Sequence, residues 1–196
     1  MARARCRRRQ ADPFRPPRQR AQEGRDTRDT PSETNSIGLL SRCLGGNSTI
    51  HAMSYFPQYF QDIQAMVLLQ AVSGHAFVEK GALNAGLDVD QTVVAFDQHL
   101  HELTGFRLKE LDPTPLAKNV KVPTMVVQVR RDTLIDTKNT QEIFDALGSS
   151  EKQLIWIEDT DRRFDGYNYF PQKPAELLAW FGKYVEVKEA GPSATM

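Results

Sequence analysis

From residue 36 onward the apolar residues alternate between short unbroken runs and longer stretches spaced by threes and fours. The runs are Ile37-Gly38-Leu39-Leu40, Ala65-Met66-Val67-Leu68-Leu69, Thr124-Met125-Val126-Val127-Gln128-Val129 and Gln153-Leu154-Ile155-Trp156-Ile157. Such short continuous runs predict strands covered on both faces. Between the second and third runs, Val89, Val93, Phe96, Leu100 and Leu103 share one helical face. Asp88 is placed to cap that helix and Gly105 lies past its end. Other helices are predicted over 46–56, over 138–147 with Thr137 as N-cap and Gly148 as stop, and over 174–184 with Pro174 in the first turn. Strand alternating with helix predicts an α/β architecture, a parallel sheet of about four strands with crossover helices. The helix over 88–103 would form a small cap.

Residues 1–35 show neither texture. Residues 1–30 carry ten arginines against four acids, a surplus of six cationic charges that the rest of the chain balances. With Phe14 as its sole aromatic, this leader cannot bury enough surface to offset its conformational entropy, and it is predicted to be disordered. A solvated basic tail is the simple reading of the cluster at Arg3, Arg5 and Arg7–Arg9; nucleic-acid binding and an organelle address are the alternatives. Pro13, Pro16 and Pro17 argue against an amphipathic targeting helix. The expected organisation is a disordered leader over 1–35, one domain over 36–185 and a frayed tail over 186–196.

At 196 residues, with 40% apolar and 26% charged side chains, the chain is long enough to bury a core. No apolar run approaches the roughly 20 residues that cross a bilayer, and none follows the arginines to make a secretory signal. Cys6 and Cys43 are the two cysteines, so a reducing, cytoplasmic compartment is expected rather than a disulfide framework. Phosphate loops, dinucleotide fingerprints and metal-ligand clusters are absent from the sequence. No cofactor and no metal are expected.

The segment Ser41-Arg42-Cys43-Leu44-Gly45-Gly46 carries the chemistry. Behind a strand and ahead of a helix, it has the form of a nucleophile elbow, which needs small residues two before and two after the reactive side chain. Ser41 and Gly45 supply them around Cys43. Amides opening the helix can receive an oxyanion, and the helix dipole favours a thiolate. Cys43 as a small buried residue remains the ordinary alternative.

Strand, elbow and helix at 37–56, the phrase Val122-Pro123-Thr124-Met125-Val126-Val127 before Arg130-Arg131-Asp132, and the closing helix resemble the α/β-hydrolase family. The resemblance covers roughly residues 36–185. It implies a partial α/β-hydrolase-type sheet, with Cys43 as nucleophile in the manner of the dienelactone-hydrolase branch, Asp132 as the triad acid and the Leu44 amide as an oxyanion donor. Asp132 as a mere turn residue, and Asp136 as a substitute acid, stay open. The family's base belongs in the loop over 158–167, which contains no histidine. Arg162 or Arg163 stands there, and a guanidinium cannot act as a base near neutral pH. Arg162 and Tyr167 are the expected substrate contacts, and His75, in the loop behind the second strand, is the candidate base, with an exposed loop histidine as the ordinary alternative. The implied partner is a small acyl substrate of ester, thioester or lactone type. Too few residues precede Ile37 for the family's upstream strands, so the elbow strand is expected at a sheet edge open to self-association, and a truncated or misframed product is the accompanying hypothesis. A non-catalytic hydrolase-like module is the alternative function.

Overall fold

The structure, a computed structural model, describes residues 36–186. The leader and most of the tail lie outside them. Four strands, β1 (Ile37–Arg42), β2 (Ile63–Leu69), β3 (Thr124–Val129) and β4 (Lys152–Ile157), form one parallel sheet in the order β1-β2-β3-β4. Leu40 stands beside Val67, Leu68 beside Val126, and Val126 beside Leu154.

Parallel neighbours need crossovers, which the helical stretches provide. They are α1 (Leu44–Tyr55), α2 (Gly74–Asn84), α3 (Val89–Thr104), α4 (Thr114–Ala117) and α5 (Thr137–Ala146), with α6 (Arg163–Gly166), α7 (Tyr169–Gln172) and α8 (Pro174–Tyr184) after the last strand. Successive side chains of a strand point to opposite faces, so the unbroken run in β2 feeds two cores. Met66 and Leu68 pack with Ile50, Met53, Val126 and Ile143 beneath α1 and α5. Ala65, Val67 and Leu69 pack with Met125, Val127 and Trp180 beneath α8. The Trp180 indole also donates to the Met66 carbonyl at 3.2 Å, which satisfies its polar atom inside the core. β1 is an edge among the described residues, with Ile37 45% and Leu40 40% exposed.

Helix α3 begins and ends where its sequence signals lie. Asp88 accepts from the Gln91 amide at 2.9 Å, and Gly105 closes the helix in the left-handed conformation at φ 80°. With α2 it forms a small helical cap inserted between β2 and β3. No α3 side chain is buried. Asp97 anchors the helix by accepting from the Leu108 amide at 2.7 Å and from Arg107 at 2.9 Å.

Two expectations change. His75 belongs to the first turn of α2 rather than to a loop. The N-cap of α5 is Asp136, and Gly148 does not stop that helix in a left-handed turn. Its amide donates to the Ala117 carbonyl at 3.1 Å, and a Cβ there would lie 2.0 Å from the Lys118 carbonyl oxygen. Gly148→Ala should therefore lower stability by about 1–3 kcal/mol, the usual cost of overpacking, as read by thermal unfolding.

Candidate active site

Strand β1 and helix α1 meet at Cys43, whose backbone sits at φ 54°, ψ −127°. A side chain in that region costs on the order of 1–3 kcal/mol and persists where its surroundings over-determine it. Here the Cys43 amide donates to the Leu69 carbonyl at 3.0 Å, and the Gly46 amide donates to the Cys43 carbonyl at 3.0 Å. Ser41 and Thr49 link their hydroxyls at 2.7 Å across the bend. Gly45 faces open space, whereas a Cβ on Gly46 would stand 3.0 Å from that of Ala71. The close approach of α1 to the end of β2 thus falls one residue later than the elbow pattern implies. Cys43 is a half-buried free thiol.

Arg163 opens α6 and turns inward, its side chain 2% exposed. One guanidinium nitrogen donates to Asp132 Oδ2 at 2.7 Å. The other contacts Cys43 Sγ at 3.8 Å and donates to the Gln70 carbonyl. Asp132 also accepts from Gln128 Nε2 at 2.7 Å and from the Leu134 amide at 2.8 Å, so its charge is fully engaged. The Tyr167 hydroxyl completes the group, close enough to Cys43 to favour its anion. Its ring lies 4.8 Å from the Arg42 guanidinium and 5.9 Å from that of Arg163, both cation–π contacts.

These contacts decide the ionisation of the thiol. Burial pushes the Cys43 pKa up, but the hydrogen bonds from Tyr167 and Arg163, the Arg163 charge and the Leu44 amide outweigh it, and the net shift is downward. Burial would lower the Arg163 pKa, yet the hydrogen bond to Asp132 and the contact with Cys43 raise it. Tyr167 is raised, first by burial and then by its bond to Cys43. The arrangement favours a thiolate beside a permanent cation and a protonated phenol.

Cys43, Asp132 and Tyr167 thus converge around Arg163, and the Leu44 amide adds to the groups that favour the anionic sulfur. Arg162 does not join them: it is largely exposed and pairs with Asp165 at 4.0 Å, while its neighbour Arg163 takes the interior place. His75 also lies apart. It pairs with Glu79 at 3.3 Å and lines a cavity of about 300 Å³ with Ser73, Asp136 and Asn139. The other histidines make their contacts elsewhere, His51 with Tyr55, His99 with Glu102 and His101 with the Gly105 carbonyl. No group of three or more His, Cys, Asp or Glu side chains that could hold a metal occurs among the described residues.

Sequence reasoning passed over Gln70 and Gln128, both fully buried. Each breaks an otherwise apolar strand or its end, and a polar side chain in such a place must find partners. That interruption was the available signal.

A parallel sheet whose edge strand turns through a strained elbow into a helix, with an acid behind β3 and a closing helix, is the α/β-hydrolase fold, here in part. Solved esterases share it. The chain is 16% identical to the Pyrococcus furiosus esterase Pf2001, with a TM-score of 0.57 over 81% of this chain and 57% of that one. A second crystal form of that esterase gives a TM-score of 0.56 over the same shares. An esterase from Exiguobacterium antarcticum is 11% identical, with a TM-score of 0.50 over 75% of this chain and 67% of that one. The chain spans just over half the length of the Pyrococcus esterase, and identities this low speak to the fold alone. No protein-family model and no curated protein matches the sequence.

Proposed function

We propose that the chain is a hydrolase of ester, thioester or lactone bonds that uses Cys43 as nucleophile and releases its acyl group slowly. The observation that supports it is the Cys43–Arg163–Asp132 constellation at the strained elbow. Because the thiol is held toward its anion by Arg163 and Tyr167, it can attack an acyl carbonyl without a base. The Leu44 amide meets the oxyanion, the carbonyl–leaving-group bond breaks, and the Tyr167 hydroxyl beside Cys43 can protonate the departing oxygen or sulfur and regain its proton from water. Hydrolysis of the resulting thioester needs an activated water. Arg163, where an imidazole would stand, cannot accept a proton.

The test is a rapid-mixing assay with p-nitrophenyl acetate. The expected result is a burst of one equivalent of nitrophenolate followed by a slow steady state, with the acyl group on the Cys43 peptide. Loss of the burst in Cys43→Ala completes the result. A burst that survives this substitution, or no burst at all, sinks the mechanism. Persistence of a thiolate suits a reducing, cytoplasmic setting, which belongs to the same proposal. Among the described residues, no helix is long and apolar enough to cross a membrane.

A second reading, a non-catalytic module that self-associates, is favoured by β1, whose outer edge carries no strand among the described residues. Unpaired edges template pairing with another chain. Light scattering separates the readings, since a monomer at every concentration removes the second.

A further inference from the structure

We propose that Gln70 is a positioning residue whose left-handed backbone and side-chain amide together clamp Arg163 against Cys43. The inference rests on the reading of Cys43 as nucleophile and adds the device that aims its counter-ion. Gln70 is fully buried and has φ 56°. Cys43 is the other non-glycine residue with positive φ among the described residues, so both strained backbones lie in one cluster. A glutamine gains nothing locally from this conformation, which favours Gly and Asn. The compensation must come from what the conformation reaches.

It reaches Arg163 at both ends. The Gln70 amide still completes the sheet by donating to the Val127 carbonyl at 2.8 Å. Its own carbonyl then leaves the ladder and accepts from the Arg163 guanidinium. The side chain spans back, Oε1 accepting from the Val129 amide at 3.3 Å and Nε2 donating to the Arg163 carbonyl at 3.4 Å. Gly166 makes room for that amide, since a Cβ there would fall 1.6 Å from Gln70 Nε2. The turn over 163–166 is built around one glutamine.

Three acceptors face the guanidinium: Asp132 Oδ2, the Gln70 carbonyl and Cys43 Sγ. The contact to sulfur, at 3.8 Å, is weak, so the two oxygens set the plane and the sulfur receives what remains. Without the Gln70 side chain, the main chain of Arg163 loses its tie to the end of β2, and the guanidinium, held by Asp132 and the residue-70 carbonyl, is free to shift away from the sulfur. The other charged or titratable groups facing the thiol are Tyr167 and, across its ring, Arg42.

The experiment reads the Cys43 thiol pKa in the full chain from the pH dependence of iodoacetamide alkylation, following the Cys43 peptide by mass spectrometry so that Cys6 does not interfere. Gln70→Gly keeps the positive-φ backbone and its carbonyl and removes the side-chain amide that ties the Arg163 main chain to Val129. The thiol pKa should rise by about one unit. Gln70→Asn, which tolerates positive φ but is too short to span both partners, gives the same direction if the glycine variant fails to fold. The deciding arm is Arg163→Gln: in that background Gln70→Gly should add no further shift. Variants at Gln70 that titrate like the wild type, or that shift the thiol equally with and without Arg163, overturn the clamp. A wild-type acyl burst with an unmoved profile in the Gln70 variants overturns the clamp alone. A shift in those variants without any wild-type burst upholds the clamp and overturns the nucleophile reading.

Discussion

Arg163→Met should destabilise the protein by about 3–5 kcal/mol in urea-induced unfolding. Removing one member of a buried ion pair leaves the other without compensation, and Asp132 and Arg163 are both almost completely buried. Gln128 and Leu134 would still donate to Asp132, but neither carries charge. The double variant Arg163→Met, Asp132→Asn should recover much of the loss, because the uncompensated charge is gone while an amide oxygen can still accept from Gln128 or Leu134. If the double variant is no more stable than the single one, the loss comes from packing instead. The same substitution changes the pH dependence. The Cys43 thiol ionises more readily folded than unfolded, its folded pKa lying below the ordinary 9.0. Its contribution therefore grows as pH rises from the folded pKa toward 9.0, is complete above that value, and is lost as pH falls through the folded pKa. Arg163→Met should flatten that slope.

Arg163→His should raise steady-state ester turnover by about 10²–10⁴-fold, the usual contribution of a positioned general base. Asp132 already stands where it can orient an imidazole, and Cys43 lies on the far side of the Arg163 head group. The imidazole would supply what deacylation lacks. The burst should vanish into a faster linear phase, and the rate should follow a titration near the ordinary histidine range of about 6.5. A variant that folds and acylates but turns over no faster would show that water activation is not the limiting step.

Much of the fold was legible because burial imposes simple patterns. The run at 124–129 could be read to its ends, since a strand enclosed on both faces is mostly apolar, here with Thr124 and Gln128 as exceptions, and Pro123 marks its start. Helix α3 announced its caps through Asp88 and Gly105. Helix α2 did not: it buries only Ala82 and contains Gly74 and Gly81, so no periodic stripe betrays it. Of the candidate site, the placement of Cys43 at the elbow and of Asp132 behind β3 was legible, because the backbone topology imposes both positions. It was not legible at Arg162 and Arg163, for a tight turn has no period to say which of two adjacent arginines points inward. Gln70 lay beyond pattern reading because its partners are separated from it by 59 and 93 residues.

Gln70, Gln128 and Asp132, which hold Arg163 in place, follow or belong to the two central strands β2 and β3, while the cap buries nothing through α3. Segments with little buried surface open locally, whereas central strands exchange their amide hydrogens only when the whole domain opens. Deuterium should therefore enter α3 early and the amides of Val127 and Val129 last. The groups that hold Arg163 then persist for as long as the protein is folded, and the cap can breathe without altering them.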